Sequence, residues 1–432
     1  MTDFMGKLLQ TAQAAPAWLQ DRQAAGRELW SASPAPTRKT EAWKYTSLHP
    51  LDREFVPAVP NPVNPAALSI ALPTLGGSRL VFVDGYWCED LSLIELPPGV
   101  QLLRFVDADE EQAALIQQHL GSVVKNDKHL FANLNDAGLA DGIFLQLDPG
   151  TVLEQPLQLV WLTSAAETAF TVNQRLLVVL GANSQASLVE HFACSGSGTA
   201  FTNGITELVL EEGARLQHHR LHLEEAGAMH IGGVHAGLAK DSTLESFHLA
   251  LGSELKRIDI VVEHRGPGAH CDLNGIYLLR GSEHVDYHTC IEHAVPQCSS
   301  DVVFRGIIGD SASAVFNGRI HIHPDAQKTR AELSNKNLLT SNSAAIYTKP
   351  ELEIYADDVQ CAHGTTVARL DENMLHYLRT RGVNREEAEV MLSYGFINEL
   401  VDGLSLEPLQ DYLRPLLAKR LSRDPKLTRH LV

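Results

Sequence analysis

Between residues 149 and 309 the chain alternates short apolar-patterned runs with turn-forming residues at nearly even spacing. The turn positions are Pro149-Gly150, Ser164, Gly181, Gly196, Gly213, Gly227, Asp241-Ser242, Gly252, Pro267-Gly268, Gly281, Pro296 and Gly309, each 11 to 17 residues from the next. Between and beyond them lie β-rich runs at 176–180, 207–210, 257–262, 276–279 and 319–322. Several alternate, so that Leu208 and Leu210, then Ile258, Ile260 and Val262, then Ile320 and Ile322 each share one strand face. Such a pattern fits either a large sandwich or a solenoid. The intervals continue without paired Asn-Gly or Asp-Gly hairpin signals, and aromatics make up only 6% of the chain. Both features favour a β-helix over 146–368 with a narrow core of stacked aliphatics, in which each coil buries its apolar face only against its neighbours.

The flanks read differently. Residues 3–30 predict a helix with an imperfect stripe of Leu8, Leu9, Ala12, Ala15 and Leu19, followed by a Pro-containing connector at 31–48. From about 50 to 145 the signal is mixed, with a strand at 80–87 and a helix near 108–121, so 1–145 forms an N-terminal helical and mixed region. On the other side, Asn384 and Glu387 have capping-box spacing. Ala388, Met391, Leu392, Phe396 and Leu400 follow as a helical stripe that stops at Asp402-Gly403. A further helix carries Leu409, Leu413, Leu416, Leu417 and Leu421, with Pro415 as a kink or restart. Residues 369–432 therefore predict a helical appendage, more apolar than an end cap requires, whose removal should spare the rod.

Composition narrows the function. Thirty-five Lys and Arg against 53 Asp and Glu give a formal charge of −18, which repels phosphate backbones and anionic membranes. There is no bilayer-length apolar run, and the N-terminus lacks a secretory pattern. Six scattered cysteines without a CxxC point to free thiols and a cytoplasmic setting.

Several candidate chemistries resolve into structural readings. Thirteen of the 20 histidines lie between His218 and His323, including the pairs His218/His219, His284/His288 and His321/His323. His321 and His323 resemble a cupin metal pair, but no carboxylate follows closely enough, and strand positions on a solenoid surface accept His freely. Cys271, Cys290 and Cys298 read as small buried hydrophobes. The acidic pairs Glu211/Glu212, Glu224/Glu225 and Asp357/Asp358 read as solvated turn or edge charges. A carbohydrate-active β-helix enzyme is one alternative, and a cupin-like metalloenzyme using His321 and His323 is another.

Cys361 and His363 stand apart. On a strand they share a face, and a thiolate beside an imidazole can hold a soft or borderline metal. Two ligands make half a site, at the far end of the rod, where an open edge invites a second chain.

The segments PELEIYADDVQCAHGTTVARLD (350–371) and LHYLRTRGVNREEAEVMLSYGF (375–396) resemble the SufB/SufD family of iron–sulfur cluster assembly proteins. Residues 328–339 and Ala344 fit as well, and TRKTEAWKYTSL (37–48) resembles the N-terminal signature of the SufD branch. The resemblance implies a right-handed parallel β-helix between helical termini, acting as a non-enzymatic scaffold of the SUF system with a part in iron acquisition. It implies pairing through the end of the β-helix with a SufB-like subunit or with a second copy. It also implies contact between the C-terminal helices, at Met391, Leu392, Tyr394 and Phe396, and a SufC-like ABC ATPase, with a SufS/SufE-type sulfur donor acting indirectly. No cofactor is expected to be bound stably. The family's Cys-x-His pair falls on Cys361 and His363, expected to share a transient iron or nascent cluster with the partner. The sulfur-accepting cysteines of SufB are not carried over to Cys271, Cys290 or Cys298.

Overall fold

The computed structural model describes residues 4–60, 72–196, 198–225, 227–422, 424–428 and 431. Successive strands of the middle region alternate between two ten-stranded sheets. Phe170–Leu180 lies in one, Gln185–Cys194 in the other, Ala200–Leu210 back in the first, and so on to Ala345–Ile354 and Val359–Ala368. Through the middle region the pairing within each sheet is parallel and links one coil to the next, as expected of a β-helix; only the N-terminal ends add antiparallel strand pairs among the described residues. One coil therefore spans two turn intervals, because the chain turns once at each edge of a flattened rod. Several corners use residues in the left-handed region, among them Gly213 (φ 68), Gly268 (φ 77), Asp241 and Asp310.

Stacking builds the core. The inward column Leu145, Val178, Leu208, Ala236, Val262, Ile291, Ile320 and Leu352 repeats one aliphatic position through successive coils of the first sheet. The middle coils depart from the aliphatic expectation. There Glu190 is buried inside the rod, 3.3 Å from the Arg220 guanidinium, 2.9 Å from His218 and within hydrogen-bond reach of Thr206. Lys256 donates to the Leu251 carbonyl at 2.7 Å and to the Glu224 carbonyl, and lies 3.3 Å from the Glu224 carboxylate. Charges survive here because each has an opposite partner and further hydrogen bonds.

The outer faces explain the flanks. Val189, Leu221, Phe247, Leu249, Ile276, Leu278, Ile307 and Leu338 make an apolar strip on the outside of the second sheet. Helices Arg385–Asp402 and Glu407–Leu421 cover it with Ile397, Val401, Leu409, Leu413 and Leu417. The apolar surplus of 369–432 thus seals the side of the rod; the region is neither a free appendage nor an end cap. The second of these helices runs on through Pro415. Asn384 caps the first by accepting from the Glu387 backbone N–H at 2.8 Å.

On the first sheet, Trp30 of helix Gln20–Ala32 and Phe131 of helix Leu130–Ala137 pack near Phe201, Met229, Ile231 and Leu255. The single helix expected over 3–30 is two, Phe4–Gln10 and Gln20–Ala32, because Pro16 interrupts it; its start at residue 3 lies outside the described residues. The expected strand at 80–87 is a hairpin, Arg79–Val83 and Tyr86–Trp87, turned at Asp84 and Gly85, both with positive φ. Arg79–Val83 pairs with Leu157–Thr163, and Ile143–Leu147 with Phe170–Leu180. The sheets therefore begin before residue 146, and a boundary at 145/146 falls inside a strand. No helix among the described residues is long and apolar enough to cross a membrane.

Candidate functional site at the open end of the rod

The last coil consists of Ala345–Ile354 and Val359–Ala368, one strand at the end of each sheet. Each pairs with the coil behind it, and among the described residues no strand follows either. Positions that are fully buried in earlier coils are bare here. Leu352 is only half-buried, Ile354 is 40% exposed and Val367 50%. The two edges also present backbone N–H and C=O groups without ladder partners.

Cys361 and His363 lie on this terminal strand, opposite Ala331 and Leu333 of the preceding coil. Ala331 and Leu333 belong to the rod's core, so both side chains face inward toward the axis, as the alternation predicts. Cys361 is half-buried and packs against the core; burial pushes its thiol up, opposed by a backbone hydrogen bond at Ala331. His363 is exposed. Asp357 and Asp358 are exposed in the turn before the strand, where the Lys328 N–H donates to the Asp358 carbonyl at 2.6 Å and the Asp358 N–H to Gln327 at 2.8 Å. They are the turn charges expected. Among the described residues no third His, Cys, Asp or Glu completes a cluster with Cys361 and His363.

The segment 37–48 reaches the same end of the molecule. Trp43 is buried under the Arg257 guanidinium (4.5 Å), Thr46 donates to Asp286 at 2.5 Å, and Tyr45 stacks on Tyr347 at 4.0 Å. Lys349, on the last strand of the first sheet, lies 2.7 Å from Glu41. The segment thereby straps the N-terminal region to the final coils.

The remaining sequence candidates divide. Cys271 and Cys298 are buried in the core as expected, whereas Cys290 is half-exposed on the outer face, with the Arg319 guanidinium 3.5 Å from its sulfur. His218, His219, His222, His230, His235, His248, His264 and His293 are buried, not on the solenoid surface as anticipated. Burial holds His219 and His222 down to about 3 and His191 to about 4, so these rings are neutral. Hydrogen bonds satisfy some of the interior rings: His218 reaches Ser246 at 3.0 Å, and His293 reaches Ser300 at 2.9 Å. Glu224 is likewise an interior residue, and the expectation of a solvated charge fails for it. His321 and His323 sit on a solenoid, not in a cupin barrel.

Of the four expected ATPase-contact residues, Tyr394 is buried within the chain. Phe396 packs partly on the rod, where its carbonyl accepts from Arg305 at 2.6 Å. The buried helix face runs through Val390, Ser393, Tyr394, Ile397 and Val401, which leaves Met391 and Leu392 half-exposed beside it. Sequence reasoning missed the interior Glu190–Arg220 pairing, because its partners are 30 residues apart and meet only through coil register.

Comparison with known proteins agrees with this architecture. Residues 162–396 match the family described as "SUF system FeS cluster assembly, SufBD core domain", and residues 7–159 match the "SufBD protein N-terminal region". The chain is 31% identical over 388 residues to the iron–sulfur cluster assembly protein SufD of Escherichia coli, covering 89% of each chain. A SufBD family protein of Synechocystis is 30% identical over 396 residues, covering 89% of this chain and 87% of its own. SufD of Bacillus subtilis is 26% identical over 419 residues, covering 94% of each. With its core and N-terminal regions both matched and its β-solenoid in place, the chain belongs to the SufBD family of iron–sulfur cluster assembly proteins of the SUF system.

Proposed function

We propose that the chain is a non-enzymatic scaffold subunit whose open coil docks end-to-end with a SufB-like rod, or with a second copy of itself. In that complex Cys361 and His363 supply half of a transient site for iron or a nascent cluster. The observation that carries this reading is the bare last coil with both side chains on its inward face. A partner strand added to each edge would satisfy the free backbone groups and cover Ile354 and Val367. It would also bring ligands of its own against the thiol and imidazole. The cluster is cargo here, and shared ligation suits cargo, since a site split between chains weakens when they move apart.

A SufC-like ATPase would sit on the C-terminal helices, through the half-exposed Met391 and Leu392 and the neighbouring exposed residues. Helix Arg385–Asp402 is anchored to strand Ser299–Ile308 by Arg305, which contacts Glu399 and the Phe396 carbonyl. That strand is separated from Val359–Ala368 by one strand of the same sheet. Movement of the helices on nucleotide binding would therefore have a short path to the open end.

The test is anaerobic reconstitution of a complex of this chain with SufB- and SufC-like partners, comparing wild type with His363→Ala and Cys361→Ser. At least a ten-fold loss of cluster absorbance is expected, with the complex still assembling on a sizing column. Undiminished cluster formation by His363→Ala would overturn the assignment.

A further inference from the structure

Away from the open end, the outer face of the first sheet carries a second set of ligand-type side chains. Glu292 on strand His284–His293 and His321 on strand Ser313–Ile322 are register partners in adjacent coils. His323 follows two residues on, at the corner where the strand ends. One ligand atom from each of the three lies within 4.8 Å of the others. The Nδ1 of His321 and the Nε2 of His323 are shielded from solvent and have no hydrogen-bond partner among the described residues. Two rings that each bring a nitrogen within 4.8 Å of the Glu292 carboxylate, and that each keep a shielded nitrogen without a hydrogen-bond partner, form an uncompensated arrangement, and a cation would compensate it.

We infer that Glu292, His321 and His323 bind a divalent first-row transition-metal ion. Two imidazoles and one carboxylate, with the remaining positions open to water, are the donor set that suits Fe(II) and its neighbours. The carboxylate that a sequence motif would place just after His323 comes from the preceding coil instead. Bond lengths of about 2.1 Å put neighbouring ligand atoms about 3.0–3.4 Å apart, so pairs as far as 4.8 Å apart must close by about 1.4–1.8 Å. The half-exposed His321 and His323 can supply that by small ring rotations. Burial and the neighbouring His323 and Arg319 hold His321 below its ordinary range, which favours the neutral ring a metal needs.

Cations already nearby define how the carboxylate is shared. Lys125 lies 2.6 Å from one Glu292 oxygen, while the other lies 3.8 Å from Lys128. The second oxygen is the one offered to the metal, with Lys128, 55% exposed, free to swing away. Glu292 also lines a cleft of about 1130 Å³ that includes Cys290 and Arg319, so the carboxylate side of the site opens to solvent. This site shares no residue with Cys361 and His363 and does not depend on the cluster reading.

The experiment is anaerobic titration of the purified full chain with Co(II) and with Fe(II). Saturable binding of one ion per chain is expected, with the weak visible Co(II) bands of nitrogen and oxygen ligation. Glu292→Gln, His321→Gln and His323→Gln should each weaken it at least ten-fold while circular dichroism stays unchanged. The double variant Cys361→Ser, His363→Ala should bind as wild type, and Lys128→Ala should bind more tightly. Absence of saturable binding, a thiolate-to-cobalt charge-transfer band, or binding indifferent to the three substitutions would overturn the site. Should the Gln variants unfold, the wild-type spectrum and Lys128→Ala decide it.

Discussion

The coil at Ser299–Ile308 and Ser313–Ile322 and the coil at Ala345–Ile354 and Val359–Ala368 are built alike, yet one is sealed and the other bare. In the first, Phe304, Phe316 and Ile320 are wholly buried between neighbouring coils. In the second, the equivalent inward positions are half-buried or exposed, because no coil of this chain follows among the described residues. The difference teaches that burial in a solenoid is a property of stacking, not of the strand itself. A terminal coil with an apolar inward face is left uncovered by its own chain, and Cys361 and His363 lie on that face.

The largest expected break in this comparison comes from removing the C-terminal helices. Ending the chain after Ala368 uncovers Val189, Leu221, Phe247, Leu249, Ile276, Leu278, Ile307 and Leu338. Each fully buried helix residue that seals them contributes about 1.5–3 kcal/mol before ordering costs. The truncated chain should aggregate or bind a hydrophobic dye, contrary to the simpler expectation that the rod is spared. A monomeric product with an unchanged thermal midpoint would refute this.

Phe304→Ala should follow, at about 3–5 kcal/mol in urea unfolding, through the cavity it leaves. A loss below about 1 kcal/mol would show that the interior coil does not depend on stacked neighbours.

The next effect is pH. Burial pushes His264 down to about 4, and burial with the neighbouring His264 pushes His293 to about 2; the two rings stack at 4.3 Å. Their unfolded values are near 6.5, so below that pH the unfolded chain binds more protons and stability falls as pH drops toward 4. Each such ring costs up to about 1.4 kcal/mol per pH unit in that window. Urea midpoints at successive pH values should decline accordingly, with hydrogen exchange rising in the middle coils. A flat profile between pH 7 and 5 would contradict neutral burial.

The smallest effect belongs to the bare end. Val367→Asp should change the chain's own stability by no more than about 0.5 kcal/mol. It should also abolish end-to-end association seen by sedimentation with a second copy or a SufB-like partner. A stability loss comparable to that of Phe304→Ala would mean the terminal coil is covered by its own chain.

Much of this was legible beforehand. Alternation at Leu208/Leu210 and Ile258/Ile260/Val262 located strand faces, and evenly spaced turns located the coils. The motif around Cys361 and His363 located the open end. The errors share a cause. Placing the histidines outside, treating Glu224 as solvated and reading 369–432 as an appendage that the rod can lose each assigned a residue's surroundings from its own neighbourhood. Those surroundings come from residues a full coil away or more: Glu190 from Arg220, Glu292 from His321, and Ile307 from Ile397.

The period of the strands, the positions of the corners and the shared face of Cys361 and His363 could be read from the residue order alone. These follow from local geometry, in which side chains alternate every residue and turn residues set where the chain reverses. Which columns stack inside the rod, which outer face the C-terminal helices seal and which coil is left uncovered are settled by long-range packing. Those outcomes depend on register between segments about thirty residues apart, where many pairings satisfy the local pattern and packing selects one.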